Sequence, residues 1–201
     1  MYQLVTSKVV DGVEVFAADM SHPGAELMRQ LAQTSPRMVV PRDEQSDRLR
    51  RRLSALGVPL AVEPLAVEAG ERVATLVEGV RLARRDPVLA RVLPLGFWRQ
   101  REELDGEAVV AAARSAREKR AVGFVLDLTS ELSGDPRFRR WAKRLVDRRV
   151  RSPHDFFELP PTTGAARRPM ADLAVARRWH YRLDMDLPAF KSQFDKFAHV
   201  A

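Results

Sequence analysis

Ala121-Val-Gly-Phe-Val-Leu-Asp-Leu-Thr-Ser-Glu-Leu132 is the stretch that decides the fold, because it is apolar on nearly every side of a helix. A helix of that kind has to be buried among other elements. The stretch therefore predicts a central helix around which the chain packs. A buried carboxylate needs a partner, and for Asp127 we expect a salt bridge from Arg72, Arg81 or Arg120.

Helical patterns continue on both sides of this stretch. Apolar residues recur at helical spacing from Val73 to Ala83, and residues 107–117 are rich in alanine. Asp86-Pro87 and Asp135-Pro136 each have the form of an N-cap followed by a proline at the first helical position. Pro94-Leu95-Gly96 predicts an interruption between them.

The N-terminal portion has a different pattern. Residues 2–10 and 13–18 are rich in β-branched residues, and Asp11-Gly12 between them is typical of a two-residue hairpin turn. Helices are predicted from Ser21 to about Gln33 and from Arg42 to Leu56. Residues 58–67 contain two prolines and predict an edge strand or an extended connector.

These patterns predict an α+β protein that is predominantly α-helical. We expect an N-terminal hairpin-and-helix portion over residues 1–65, a helical core domain over residues 66–158, and a proline-rich arm with a docked C-terminal helix over residues 159–201. In that last helix Leu187, Phe190, Phe194 and Phe197 form one apolar stripe. Burial against the protein's own core is the simpler interpretation, and a groove in a partner is the alternative.

Composition limits the classes of chemistry. The 201 residues include no cysteine, which excludes disulfides, thiol nucleophiles and zinc fingers. Met1-Tyr2-Gln3-Leu4 does not resemble the start of a secretory signal, and no apolar run is long enough to span a bilayer. We therefore expect a cytoplasmic protein without membrane contact.

Positive charge is concentrated in one part of the sequence. Between Asp135 and Arg182 there are thirteen Lys and Arg residues and five Asp and Glu residues, whereas the whole chain carries a net charge of only +7. Clustered positive charge attracts polyanions, whereas evenly spread charge mainly affects solubility. The cluster predicts a polyanionic partner, either nucleic acid, with DNA favoured over RNA, or an acidic protein.

A basic helix over residues 136–151 would carry most of this charge. Its arginines recur every three or four residues, so they would lie on one side of the helix, next to an apolar face that includes Phe138 and Trp141. Such a helix could lie along a phosphate backbone. The alternative is a solvated face whose arginines pair with carboxylates. The predicted nucleic-acid-binding residues are Arg137, Arg140, Arg144, Arg148, Arg151, Arg167, Arg168, Arg177, Arg178 and Trp179, with Trp179 and Tyr181 available to stack on bases.

Catalytic motifs are absent from the sequence: it has no phosphate-binding glycine loop, nucleophile elbow or His-Glu-x-x-His pattern. Two groups could still bind a metal. His154, Asp155 and Glu158 follow the basic helix, and His180, Asp184 and Asp186 form the second group. In the simpler interpretation, Asp155 and Glu158 lie in the first turn of a helix that starts at Ser152-Pro153, and Asp186 is an N-cap. We expect no metal, cofactor or catalytic residue.

Two segments resemble a known family. Residues 71–78, Glu-Arg-Val-Ala-Thr-Leu-Val-Glu, and residues 120–127, Arg-Ala-Val-Gly-Phe-Val-Leu-Asp, are similar to motifs in the helical C-terminal half of abortive-infection-type (type IV) antitoxins. The resemblance covers about residues 67–132 and departs at Ala121, Val122 and Asp127. The family's N-terminal winged helix is not evident in residues 1–65. The resemblance implies a non-enzymatic regulator that binds DNA or antagonises a toxin.

The leading hypothesis from the sequence is therefore a non-catalytic nucleic-acid-binding or antitoxin-like regulatory protein. A protein-interaction module that uses the basic face and the phenylalanine stripe, possible as a homodimer, is the second hypothesis. A metal-dependent nuclease or nucleotidyltransferase is the third.

Overall fold

A computed structural model describes residues 5–10, 13–18, 44–147, 149, 152–158 and 173–198. The fold is α+β and predominantly helical, as the sequence predicted. The chain divides by its internal contacts into two compact units, Met1–Pro41 and Arg42–Ala201.

The first unit contains a β-hairpin. Strands β1 (Val5–Val10) and β2 (Val13–Ala18) are antiparallel, and Val5 is paired with Ala18 while Val10 is paired with Val13. Both strands were predicted from their β-branched residues. Residues 11 and 12, which the sequence predicts as a turn, and the helix predicted after Ser21 lie outside the described residues.

The second unit is built mainly from helices. Its described residues form eight α-helices, a short 3₁₀ turn at Ala69–Glu71, and a parallel pair of two-residue strands. The elements are α1 (Glu44–Ala55), α2 (Arg72–Ala83), α3 (Pro87–Arg99), α4 (Gly106–Ser115), α5 (Lys119–Ser133), α6 (Pro136–Lys143), β3 (His154–Asp155), α7 (Ala174–Arg178), β4 (Tyr181–Arg182) and α8 (Leu187–Ala198).

Helix α5 is the central buried helix that the sequence predicted. Every residue from Ala121 to Ser130 is buried. The helix contacts α2, α3, α4, α6, α7 and α8, so it lies at the centre of the second unit. Gly134 ends it with a positive φ of 75°, which glycine adopts without steric cost.

Helix α3 differs from the prediction because it continues through Pro94 to Arg99. A proline inside a helix removes one backbone hydrogen bond. Here the side chains around it, Leu93, Leu95 and Phe97, are fully buried. Burial of this apolar segment offsets the lost hydrogen bond, which a purely local reading of Pro94-Leu95-Gly96 did not anticipate.

Helix α6 is shorter than the predicted basic helix 136–151, because it ends at Lys143. Arg144 is its C-cap, and the backbone N–H of Leu145 donates to the carbonyl of Ala142. This turn places Leu145 in the core, where its side chain is 1% exposed. Helix α6 therefore carries only the first part of the arginine stripe that helical periodicity predicted, up to Arg144 at its C-cap.

The C-terminal elements belong to the same core. Phe190 and Phe194 of α8 are buried, and the ring of Phe194 contacts that of Trp98 on α3 edge-on. Burial of the phenylalanine stripe in the protein's own core is confirmed for these two residues. Helix α1 packs on α2 within the unit that starts at Arg42, whereas the sequence analysis placed that helix in a portion ending at residue 65.

Candidate functional site

Helix α6 is amphipathic and is fixed at its N-terminus by Asp135. The Asp135 carboxylate accepts a hydrogen bond from the backbone N–H of Arg137, which is an N-cap interaction. Phe138 and Ala142 are buried on the inner face of the helix. Its cationic side chains therefore project on the outer side and along both flanks.

One flank of α6 is tied by ion pairs to the chain around the start of α4. Arg137 pairs with Glu102 at 3.0 Å and with Asp135 at 2.9 Å, and Arg144 forms an ion pair with Glu107. Hydrogen bonds from Arg137 hold the pKa values of Glu102 and Asp135 below their usual range, and Arg144 does the same for Glu107. These arginines are neutralised by carboxylates in the free protein.

The other flank meets α7 over two acids of α5. The Asp127 carboxylate accepts hydrogen bonds from Nε of Arg139 at 3.2 Å and from Nε of Arg178 at 3.0 Å. One turn further on, Glu131 Oε2 lies 2.8 Å from Nη2 of Arg139 and 3.6 Å from Nη2 of Arg178. The structure thus brings Arg178 to α6, as a shared basic surface requires.

Trp179 is buried, contrary to the prediction that it stacks on bases. Its side chain is 5% exposed, and its indole Nε1–H donates to Asp127 Oδ2 at 3.1 Å. Tyr181 is also 5% exposed and contacts the rings of Phe124 and Phe156. Both aromatic rings are therefore parts of the core and offer no face to a base.

An open depression of about 340 Å³ lies where α5 ends and α6 begins. Its rim contains three cations, Arg139, Arg140 and Lys143, and one carboxylate, Glu131. Within the described part of the chain, Arg140 and Lys143 are exposed and have no carboxylate within ion-pair distance. We call Arg139, Arg140, Lys143 and Arg178 the basic face.

Acidic residues from earlier parts of the chain pair with arginines of the basic run. Glu102, Glu107, Asp127 and Glu131 all precede residue 135, yet they pair with arginines that follow it. The solvated-and-paired alternative therefore describes Arg137 and Arg144. Arg140 remains as predicted on an exposed surface.

Sequence reasoning missed Arg139 and Lys143 as members of this face. Both lie off the predicted arginine stripe, although each belongs to the same basic run. Arg177 is exposed and has an interaction of its own. The remaining predicted residues, Arg148, Arg151, Arg167 and Arg168, lie outside the described residues.

Most acids of the two histidine-containing groups form ion pairs or a helix cap. Asp155 pairs with Arg182 at 2.9 Å, and Glu158 pairs with Arg84 at 2.8 Å. Asp186 accepts a hydrogen bond from the backbone N–H of Ala189, which is the predicted N-cap interaction. No cluster of three or more potential metal ligands occurs among the residues that the structure describes.

The helix start predicted at Ser152-Pro153 is replaced by strand β3. His154 and Asp155 pair in parallel with Tyr181 and Arg182. Phe156 is buried directly after the strand, so it anchors this segment as expected. The backbone N–H groups of His154 and Phe156 donate hydrogen bonds to the carbonyls of His180 and Arg182 in this pairing.

Comparisons with known proteins give no relative from which a role could be transferred. No family model matches the chain, and no curated protein and no solved structure matches it significantly. A search of the described helices for one long and apolar enough to cross a membrane found none.

Proposed function

We propose that this protein is a non-catalytic nucleic-acid-binding regulator that contacts the phosphate backbone, preferably of duplex DNA, through the basic face. The observation that carries the proposal is the open depression at the start of α6, where Arg140 and Lys143 are exposed and have no described carboxylate partner. Unpaired cations on an open surface can release counterions from phosphates without first losing a partner.

The pairing pattern limits how many phosphates the protein contacts. Arg137 and Arg144 already form ion pairs with Glu102 and Glu107, so they contribute little. Within the basic face, Arg139 and Arg178 are also paired, so the unpaired Arg140 and Lys143 set a minimum of about two phosphate contacts, for which affinity should fall roughly 12-fold between about 50 and 200 mM salt. A long continuous stripe of arginines would give a steeper loss.

Contacts of this kind give affinity more than sequence preference. Phosphate contacts position a protein on the duplex, whereas sequence is read by side chains that reach base edges. The buried Trp179 and Tyr181 leave the basic face without an aromatic platform for unpaired bases. The proposal therefore favours a duplex over a single strand, and it places the protein with nucleic acid in the cytoplasm.

The test is fluorescence anisotropy of the whole chain with a labelled duplex at two salt concentrations. The double variant Arg140→Ala, Lys143→Ala should bind at least tenfold more weakly and show a salt slope smaller by about two. The matched control is Arg81→Ala, Lys191→Ala, which removes two exposed cations elsewhere. Equal affinity of the two double variants would refute the proposal.

An acidic protein is the second candidate partner, and one observation favours it. Beside the basic face, Glu102 and Glu107 alternate with Arg137 and Arg144, so this flank presents both signs of charge. Mixed charge suits a protein surface better than a polyanion. Under this candidate the protein is an antitoxin-like binder of an acidic partner that also places a cation opposite Glu102, so Glu102→Lys weakens partner binding but strengthens duplex binding.

A further inference from the structure

Two carboxylates one helical turn apart on α5, Asp127 and Glu131, contact the same pair of arginines but differ in their exposure to solvent. Asp127 is buried, with 8% of its side chain exposed, and it accepts hydrogen bonds from Arg139, Arg178 and Trp179. Glu131 has 37% of its side chain exposed and lies at the rim of the depression. One acid is therefore fixed inside the protein, and the other faces solvent.

Asp127 holds the two guanidinium groups side by side. Arg139 belongs to α6 and Arg178 to α7, and each presents its Nε to a different oxygen of Asp127. The buried carboxylate lies between the two like charges and offsets their repulsion. Its three hydrogen bonds make its removal from the site costly.

Glu131 occupies the outer edge of the same arginine pair. A single oxygen, Oε2, faces Nη2 of Arg139 at 2.8 Å and Nη2 of Arg178 at 3.6 Å. An anionic oxygen between two guanidinium groups is the arrangement that a phosphate oxygen adopts. The half-exposed arginines and the neighbouring Arg140 and Lys143 leave room for a larger anion at that place.

We propose that the arginine pair Arg139–Arg178 binds one phosphate group, that Asp127 positions the pair, and that Glu131 occupies the site until phosphate displaces it. The inference rests on the proposed function for its physiological ligand. An exposed carboxylate is held weakly, whereas phosphate brings more charge and more acceptor oxygens. Asp127 stays in place because phosphate reaches only the outer edge of the pair.

The two carboxylates then have opposite effects on anion binding. Glu131→Gln removes the competitor and should raise affinity roughly fivefold, which is about 1 kcal/mol. Asp127→Asn removes the anchor, and it should lower affinity about tenfold although it also deletes a negative charge. If the two carboxylates acted only through their negative charge, both variants would bind the anion more tightly. A loss of affinity in Asp127→Asn therefore distinguishes the positioning role from a purely electrostatic effect.

The experiment uses two probes with the whole chain: inorganic pyrophosphate, followed by the shift in Tm, and the labelled duplex, followed by anisotropy. Pyrophosphate should raise the Tm of the wild type, raise that of Glu131→Gln further, and raise that of Asp127→Asn clearly less than that of the wild type. Phe194→Leu, a core substitution on α8, controls for lost stability and should keep the wild-type shift.

A charge-conserving variant keeps the test decisive if Asp127→Asn fails to fold. Arg139→Lys retains the charge, but a lysine cannot bridge Asp127 and Glu131 as a guanidinium does. It should therefore lose most of the pyrophosphate shift. A wild-type shift in Arg139→Lys, or a larger shift in Asp127→Asn, overturns the arginine-pair site.

The two proposals can fail separately. Pyrophosphate binding with the expected signs and no duplex binding would reject nucleic acid while the arginine-pair site stands. Duplex binding that depends on Arg140 and Lys143, together with equal changes in the Asp127 and Glu131 variants, would reject the positioning role alone. Absence of any pyrophosphate shift at tens of millimolar would also reject the arginine-pair site.

Discussion

At the scale of the residue, Gly123 shows how closely two elements approach in this core. A Cβ built at this position on α5 would overlap the six-membered ring of Trp179. The same indole donates its N–H to Asp127, which lies one turn further along α5. The absence of a side chain at residue 123 therefore lets Trp179 reach the buried carboxylate.

We predict that Gly123→Ala destabilises the protein by about 1–3 kcal/mol, because the added methyl group overpacks a buried site. The gain in helix propensity of about 1 kcal/mol opposes this and is the smaller effect where the ring cannot move. Gly70→Ala is the control, since a Cβ there has no neighbour within 4 Å. Thermal unfolding measures the Tm of both variants. A higher Tm for Gly123→Ala than for the wild type would contradict the predicted loss of stability.

The ion pairs of α6 predict a loss of stability in acid. The pKa values of Glu102, Glu107 and Asp135 are lowered in the folded protein by Arg137 and Arg144. As pH falls below about 5, the unfolded chain therefore takes up protons first, and the free energy of unfolding declines until the folded carboxylates are protonated. Stability from these groups is fully present above the ordinary carboxyl pKa values.

Arg137→Gln should reduce the decline of the free energy of unfolding in acid, because the pKa values of Glu102 and Asp135 then lie closer to their ordinary values. Urea unfolding at pH 7 and at about pH 2, where the folded carboxylates are protonated as well, measures the difference. The variant should be less stable than wild type at pH 7 and nearly equal to it in acid. An unchanged gap between the two proteins at both pH values would show that Arg137 acts through packing instead.

At the scale of the element, helix starts that are capped by an aspartate can be read from the local sequence, whereas the ends of α3 and α6 cannot. Asp86, Asp105 and Asp135 all act as N-caps, and each accepts a hydrogen bond from a backbone N–H within the next three residues. Capping is local, so the sequence contains it. The continuation of α3 through Pro94 depends on burial of its side chains against distant elements, and the end of α6 at Lys143 is marked by no glycine or proline in the local sequence.

Two of these caps allow a matched prediction. Asp86 caps α3 and also pairs with Arg50 at 2.7 Å, whereas Asp105 caps α4. Asp105→Ala should cost about 1 kcal/mol, the usual value of a lost cap. Asp86→Ala should cost about 3 kcal/mol or more, because it also leaves the 8%-exposed Arg50 without this partner. Chemical denaturation measures both, and equal losses would contradict the role given to Arg50.

The candidate site was predictable only in its location. The basic run contains α6 and Arg178, whose role in binding stays a prediction, and Asp127 was correctly expected to need a partner. Its actual partners, Arg139 and Arg178, are unlike those expected, Arg72, Arg81 and Arg120. Partners of a buried group are set by which helices meet around it, and helical periodicity does not contain that information.

At the scale of the whole molecule, contacts divide the chain after Pro41, and the second unit has its own extensive core. That core includes residues from Leu53 on α1 to Phe190 on α8. The described C-terminal segment is thus as much a part of it as the central helix α5. This division predicts that the two ends of the chain differ in their importance for folding.

A chain that starts at Arg42 should unfold cooperatively, with a Tm close to that of the main transition of the full chain. A chain that stops before Leu187 loses Phe190 and Phe194, each worth about 3–5 kcal/mol in a core. Because a whole domain is stable by only about 5–15 kcal/mol, this second truncation should abolish cooperative unfolding. Circular dichroism on heating compares the two. A cooperative transition in the C-terminal truncation would mean that α8 is an appendage, and loss of cooperativity in the N-terminal truncation would mean that Met1–Pro41 is part of the folding unit.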